Sequence, residues 1–469
     1  MKRIYFDYAA STPVDPAVTA AMRPYFSKIF GNPSALHRFG QEASAAVFKA
    51  RLGIAKSLGA DYREIIFTGS ATEANNLALR GAVKSFVYSQ ATAFRNQNIF
   101  APAAKISSPS ARWSRLSSGT KPSVSAGCSS KQSAFVQNFL QPKIIVSTIE
   151  HESILETCRD LEKDGIEVVY IPVSKDGIVD LKKIKTALDE RTVLVSIMHA
   201  NNEIGAIQPI SAIAEVISNW KLVNRKKIPI FSCQLPVTSY PLFHTDAAQS
   251  FQYLDCRPEN LGVDLMTLSA HKIYGPKGIG VLYARNWQMV NSDSGIKSQR
   301  TNYQLPITNY ISPIITGSGQ EFGLRSGTDN VPYIVGFAKA VELISNSREL
   351  ENKRVGKLRD YFWRGFKKIN SKIAVNGSMK ERLPNNLNIY FPGNRAQELL
   401  IKLDLAGIAA SLGAACSSRV SKTSYVLRAM GFSLDRASSS LRFSLGRQTA
   451  KRDIDYTIAT LIKFLKIRR

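Results

Sequence analysis

Lys272 stands in "SAHKIYGPKGIGVLY", beside His271 and ahead of Gly275, Gly278 and Gly280. A lysine in this place is either a surface residue next to a turn or a reactive amine. Reactivity needs a depressed pKa, which burial and a neighbouring cation both supply. It also needs glycines that let a bulky group approach the backbone. The GxxGxG spacing alone marks a turn, and no helical pattern follows it, so it is not a dinucleotide fingerprint. Asp246 lies at the end of an apolar run, in "LFHTDAAQS". A carboxylate there either caps a helix or faces a charged donor such as a protonated pyridine nitrogen, because burying it unpaired is costly. Thr72 lies in "GSATEANN", a turn of small residues opening a helix. That turn is either an ordinary N-cap with Glu73 in the first turn, or a phosphate site built from free N–H groups and the macrodipole.

These residues need elements to hold them. "EIIFTGSATEANNLALRGAVK" predicts a short strand, a turn and a helix from about Thr72. "KIIVSTIEHESIL" predicts the same order, and "IEVVYIPV", "TVLVSIMHANNEIG", "LFHTDAAQS", "GVDLMTLSAHK" and "GIGVLYAR" are further strands. Strands alternating with helices predict an α/β fold with a mostly parallel sheet covered on both faces. Ligands of such sheets sit beyond the carboxyl ends of the strands. Thr72, His151, Asn202, Asp246 and Lys272 all fall at or just past those ends. An amine, a carboxylate for a ring nitrogen and a helix-end phosphate site together meet the requirements of pyridoxal phosphate.

The rest of the composition sets limits. The 469 residues carry 62 Lys+Arg against 36 Asp+Glu, a net charge of +26. This excess fits either contact with nucleic acid or a basic solvated surface. The five cysteines are widely spaced with no CxxC pair, which indicates neither a metal site nor a disulfide framework and matches a reducing, cytoplasmic setting. The opening run "MKRIYFDYAASTP" carries Asp7 and is too short for a signal peptide, and no apolar run is long enough to span a membrane. Three stretches read as insertions, at about 84–143, 220–243 and 286–313. The first holds eight Lys/Arg, no acid and many serines, a composition that predicts a mobile basic loop.

The chain resembles the cysteine desulfurases of the NifS/IscS type, in class V of the fold-type-I pyridoxal-phosphate enzymes. The resemblance runs through "YFDYAASTPVDPAV", "FGNPSALHRFGQEA", "IIFTGSATEANNLAL", "EHESIL", "SIMHANNEIGAIQPI", "HTDAAQS", "SAHKIYGPKGIG", "GLRSGTDNVPYIVGF", "SYVLRAMG" and "LRFSLGRQT", in the family's order. It implies a large cofactor-binding domain over 13–345. It also implies a smaller α+β domain, formed by 1–12 with 346–469, that carries the catalytic cysteine loop. It implies that Lys272 anchors the cofactor covalently and then shuttles protons. Asp246 would hold the pyridinium, Gln249 the ring hydroxyl, and His151 would stack on the ring and act as a catalytic group in proton transfer. Ala71, Thr72, Ser269 and His271 would bind the phosphate, with Thr328 reaching it from a second copy in a homodimer. Asn202 and Arg442 would bind the substrate carboxylate. His37 and His199 are expected to be structural.

Cys416 decides the implied reaction. It lies in "SLGAACSSRVSK", among small residues and near Arg419 and Lys422, which favour a thiolate. The family's catalytic cysteine occupies this place, and the resemblance implies that it takes sulfur from L-cysteine as a persulfide, leaving L-alanine. The sulfur would pass to an acceptor protein, for iron–sulfur cluster assembly or tRNA thiolation. Leu412, Ala414 and Ser417 depart from the family's loop, and Phe322 replaces a usual arginine, which puts a local salt bridge in doubt. A selenocysteine lyase, a class V aminotransferase and a basic RNA-associated sulfur-donor module are the competing readings.

Overall fold

The computed structural model describes residues 3–97, 140–224, 240–285, 310–413 and 423–465. Seven strands form the central sheet: β2 (Ile65–Thr68), β3 (Lys143–Ser147), β4 (Glu167–Ile171), β5 (Thr192–Ser196), β6 (Leu242–Asp246), β7 (Leu265–Ser269) and β8 (Gly280–Ala284). Their order is β2-β8-β7-β6-β5-β3-β4. Neighbours from β7 to β4 pair in parallel, and β8 runs antiparallel to both β7 and β2. Two reversals restore the direction, so β2 points the same way as β3 to β7. Six carboxyl ends therefore open on one edge, as the alternating pattern predicts.

Side chains alternate across each strand, so each strand feeds two cores. Ile65, Phe67, Ile145, Val195, Phe243 and Met266 enter one, while Ile66, Ile144, Val146, Leu194, Leu242 and Leu265 enter the other. The first face is covered by the helix Arg38–Leu58, which lies along the long helix Val331–Ile369. The second is covered by the helices Ala71–Gln97 and Glu152–Lys163.

A third core gathers Ile4, Phe6, Phe362, Phe366, Phe391 and Phe443. It lies around a three-stranded antiparallel sheet, β12-β10-β9 (Ser440–Ser444, Asn386–Tyr390, Ala374–Val375), and the parallel pair β1-β11 (Ile4–Tyr5, Ile408–Ala409). This brings the two ends of the chain together.

The expected loop from Lys84 needs correction. Residues 84–97 continue the helix that begins at Ala71. Val83, Phe86 and Val87 repeat at helical spacing and are buried in the second core, which outweighs the polar composition of the segment as a whole. Gln90 ties this stretch down: its Nε2 donates to Leu140 O at 3.1 Å and its Oε1 accepts from Leu140 N at 2.9 Å. The second insertion likewise begins inside a helix, Ile210–Asn224, and ends in β6. Residues 98–139, 225–239 and 286–309 lie outside the described residues. Among the described residues, no helix is long and apolar enough to cross a membrane.

Candidate active site

The site forms where the carboxyl edge of the large sheet meets the N-terminal segment Asp7–Thr12. Lys272 closes a short 3-10 turn directly after β7. Its Nζ donates to Ala9 O at 2.6 Å and Ala10 O at 2.8 Å. Gln249 Nε2 donates to the same Ala9 oxygen at 2.9 Å. The lysine and the glutamine are therefore neighbours across one carbonyl, although neither is near residue 9 in sequence.

Asp246 ends β6 and is 7% exposed. Its Oδ1 accepts from Ala248 N at 2.9 Å, and its Oδ2 accepts from Asn75 Nδ2 at 2.8 Å. Asn75 Nδ2 also donates to Ser153 Oγ at 2.8 Å, and that hydroxyl lies 2.9 Å from His151 Nδ1. His151 caps the helix Glu152–Lys163, and its Nδ1 accepts from Ser153 N at 3.1 Å. With Nδ1 accepting, the ring proton of a neutral His151 sits on Nε2. Asp246 and His151, 95 residues apart, are thus joined by two side chains that motif reading passed over. Asn75 follows Thr72 by one helical turn, a spacing that places both on one face.

Ala71 and Thr72 open their helix beside Gly280. A Cβ on Gly280 would lie 2.5 Å from Ser70 C and 2.7 Å from Ala71 N. Glycine here lets β8 press against the helix start. Ser269 ends β7 and is buried. His271 Nδ1 lies 3.5 Å from Ser11 Oγ. Burial, then Lys272 and Lys277, push its pKa down to about 4, so the imidazole is neutral at pH 7. Thr328 is set apart: it is exposed, ahead of the helix Val331–Ile369, and among the described residues no hydrogen bond joins it to Thr72, Ser269 or His271.

Arg442 lies on β12 and is 2% exposed. Its Nη2 pairs with Asp7 Oδ1 at 2.6 Å, and its Nη1 donates to Asn202 O at 2.9 Å and Gly413 O at 3.3 Å. Burial lifts the Asp7 carboxyl, while Arg442 and Lys272 hold it down. Asn202 thus meets Arg442 through its carbonyl. Of the nine buried polar side-chain atoms with no hydrogen-bond partner among the described residues, three lie at this site: Asn75 Oδ1, Asn202 Oδ1 and Arg442 Nε. Orphaned polar atoms are rare in packed interiors. Together with the amine, the carboxylate and the helix start, they fit a ligand carrying a phosphate, a ring nitrogen and an amino-acid carboxylate.

Cys416 lies within 414–422, outside the described residues. Both flanks of that stretch meet Glu203, a residue of "NNEIG" that the motif reading left without a role. Ser424 Oγ donates to Glu203 Oε2 at 2.5 Å. A Cβ on Gly413, where φ is +97°, would come within 2.7 Å of the same oxygen. Glu203 is 1% exposed, and burial lifts its pKa to about 7, with Ser424 and Arg442 opposing. A raised folded pKa means that the folded state binds the proton more tightly. The resulting stability is full below about pH 4.5 and is lost as pH rises through about 7. Glu203→Gln, which stays neutral, is expected to match the wild type near pH 4.5 and to melt higher above about pH 7. Melting curves across that range check this; a gap that does not widen with pH would refute it.

His37 caps the helix Arg38–Leu58, and buried His199 meets Ser250 Oγ at 3.1 Å and Cys256 Sγ at 3.6 Å. Next to Phe322 lies a buried ion pair, with Arg51 Nη2 2.6 Å from Glu321 Oε1 and the Arg51 guanidinium carbon 5.0 Å from the Phe322 ring centroid.

The aminotransferase class-V family profile matches residues 4–113, 123–224 and 238–457. The chain belongs to that family. Within it the chain groups with the NifS/IscS-type cysteine desulfurases. It is 36% identical over 467 residues to the cysteine desulfurase IscS of Dictyoglomus turgidum, covering 99% of this chain and 95% of that one. A solved NifS-like protein superposes with a TM-score of 0.74 at 31% identity, covering 99% of both chains. The structure of SspA in complex with cysteine superposes with a TM-score of 0.64 at 31% identity, covering 95% of this chain and 99% of that one. Enzymes of this family depend on pyridoxal phosphate.

Proposed function

We propose that this chain is a pyridoxal-phosphate-dependent cysteine desulfurase that takes sulfur from L-cysteine and leaves L-alanine. The observation that carries the reading is the convergence of Lys272, Gln249 and the Asp246–Asn75–Ser153–His151 chain on one sheet edge, with Arg442 facing it from β12. Its full-length likeness to desulfurases, and to a protein solved with cysteine, supports this substrate.

When bound, pyridoxal phosphate draws electron density from the α-carbon of the amino acid. Asp246, held by Asn75, would face the ring nitrogen, Gln249 the ring hydroxyl and His151 the ring. The N–H groups of Ala71 and Thr72, with Ser269 and His271, would hold the phosphate. Asn202 and Arg442 would hold the substrate carboxylate. Lys272 would anchor the cofactor and move the proton at Cα. Cys416 Sγ, as the thiolate, would attack the substrate sulfur. The S–S bond forms as the Cβ–S bond breaks, and the electron pair left at Cβ takes up a proton to give alanine.

The exposed position of Thr328 fits its use by a second copy. Phe26, Phe30 and Phe39 stand 60%, 67% and 54% exposed, and an apolar surface of this kind suits a homodimer. The sulfur then passes to an acceptor protein, an iron–sulfur scaffold or a tRNA thiolation enzyme.

Purified protein given pyridoxal phosphate, L-cysteine and a thiol reductant is expected to release alanine and sulfide in equal amounts. Cofactor binding without alanine would overturn the reading. Amino transfer to a 2-oxo acid would replace it with the aminotransferase alternative.

A further inference from the structure

We propose that Asp7 is a specificity-determining residue that shares the Arg442 guanidinium with the substrate carboxylate and so limits how tightly an amino acid is held. The proposal rests on the reading of Arg442 as the carboxylate site. Arg442 is almost wholly buried, and two of its three nitrogens are already engaged. Nη1 is spent on the neutral carbonyls of Asn202 and Gly413. Nη2 faces Asp7 Oδ1 at 2.6 Å, and Asp7 is the one carboxylate paired with Arg442 among the described residues. Nε is buried without a partner there.

Nε and Nη2 share one edge of the planar guanidinium, the edge that takes a carboxylate with two parallel N–H bonds. Nη2 carries two hydrogens, and Asp7 takes one. An incoming carboxylate therefore meets the Nε–H, which has no partner among the described residues, and must share Nη2 with Asp7. Two anions on one cation repel each other, so the second is held more weakly than a free fork would hold it. In the absence of substrate the same Asp7 prevents a buried cation from facing only neutral acceptors, which is costly. L-alanine keeps the α-carboxylate, so the weakened grip applies to the product as well as to L-cysteine.

The test is the affinity of the cofactor-loaded enzyme for L-alanine and for L-alaninamide, which keeps the amine and lacks the anion, by titration calorimetry. Asp7→Asn keeps an oxygen for Nη2 and removes the charge. It is expected to tighten L-alanine about ten-fold while L-alaninamide is unchanged. The KM for L-cysteine should fall with it. Asp7→Ser, which also keeps an acceptor without charge, should give the same selective gain and covers failure of the first variant to fold. An unchanged or weakened preference for L-alanine over the amide in the folded variants overturns the proposal. Arg442→Ala separates this from failure of the underlying reading. If it leaves the L-alanine affinity untouched, Arg442 is not the carboxylate site and both fall. If it weakens L-alanine while Asp7→Asn brings no gain, the role of Asp7 alone is wrong.

Discussion

Lys272→Ala is expected to lower alanine formation from L-cysteine by roughly a thousand-fold or more. The amine has two uses, covalent retention of the cofactor and movement of the Cα proton, and alanine performs neither. Its position is set by Ala9 and Ala10, whose carbonyl oxygens accept from Nζ at 2.6 and 2.8 Å. The other lysine of this turn, Lys277, is exposed, on the far side of Gly275. Folding should survive, because Lys272 is half-buried and Ala9 O keeps its bond from Gln249. Two measurements check this: alanine release, and the mass of the protein after borohydride reduction with pyridoxal phosphate. Wild type is expected to gain the cofactor's mass and the variant not to. A variant that still captures the cofactor through another lysine and turns over normally would remove Lys272 from its role.

Cys416→Ala is expected to stop alanine and sulfide release to a similar degree while leaving cofactor capture and L-cysteine binding intact. The contrast is informative because the two residues act on different bonds. Lys272 serves the Cα–H bond, whereas Cys416 receives the sulfur as Cβ–S breaks. Loss of both activity and cofactor in Cys416→Ala would point to misfolding instead. Alanine release at the wild-type rate would show that the thiol is not the sulfur acceptor, and would favour a reading on the same scaffold that does not need it.

The sequence by itself determined the scaffold and most of the chemistry. Strand ends and helix starts are local events, written in β-branched runs, small-residue turns and caps. Thr72, His151, Asn202, Asp246 and Lys272 therefore fall on one edge from the sequence alone. The helical stretch after Lys84 was hidden because its composition was averaged over the whole basic insertion, while the burial of Val83, Phe86 and Val87 decides the local structure. Tertiary structure alone decided what these groups touch. The bond from Lys272 to Ala9 spans 263 residues, and the one from Arg442 to Asp7 spans 435. Asp7 was visible only as an acid inside an apolar run, and Glu203 only as one letter of "NNEIG". The role of Asp7 depends on closure of the chain's two ends around the third core, and that of Glu203 on a contact with Ser424 across 221 residues; no local periodicity encodes contacts of that range.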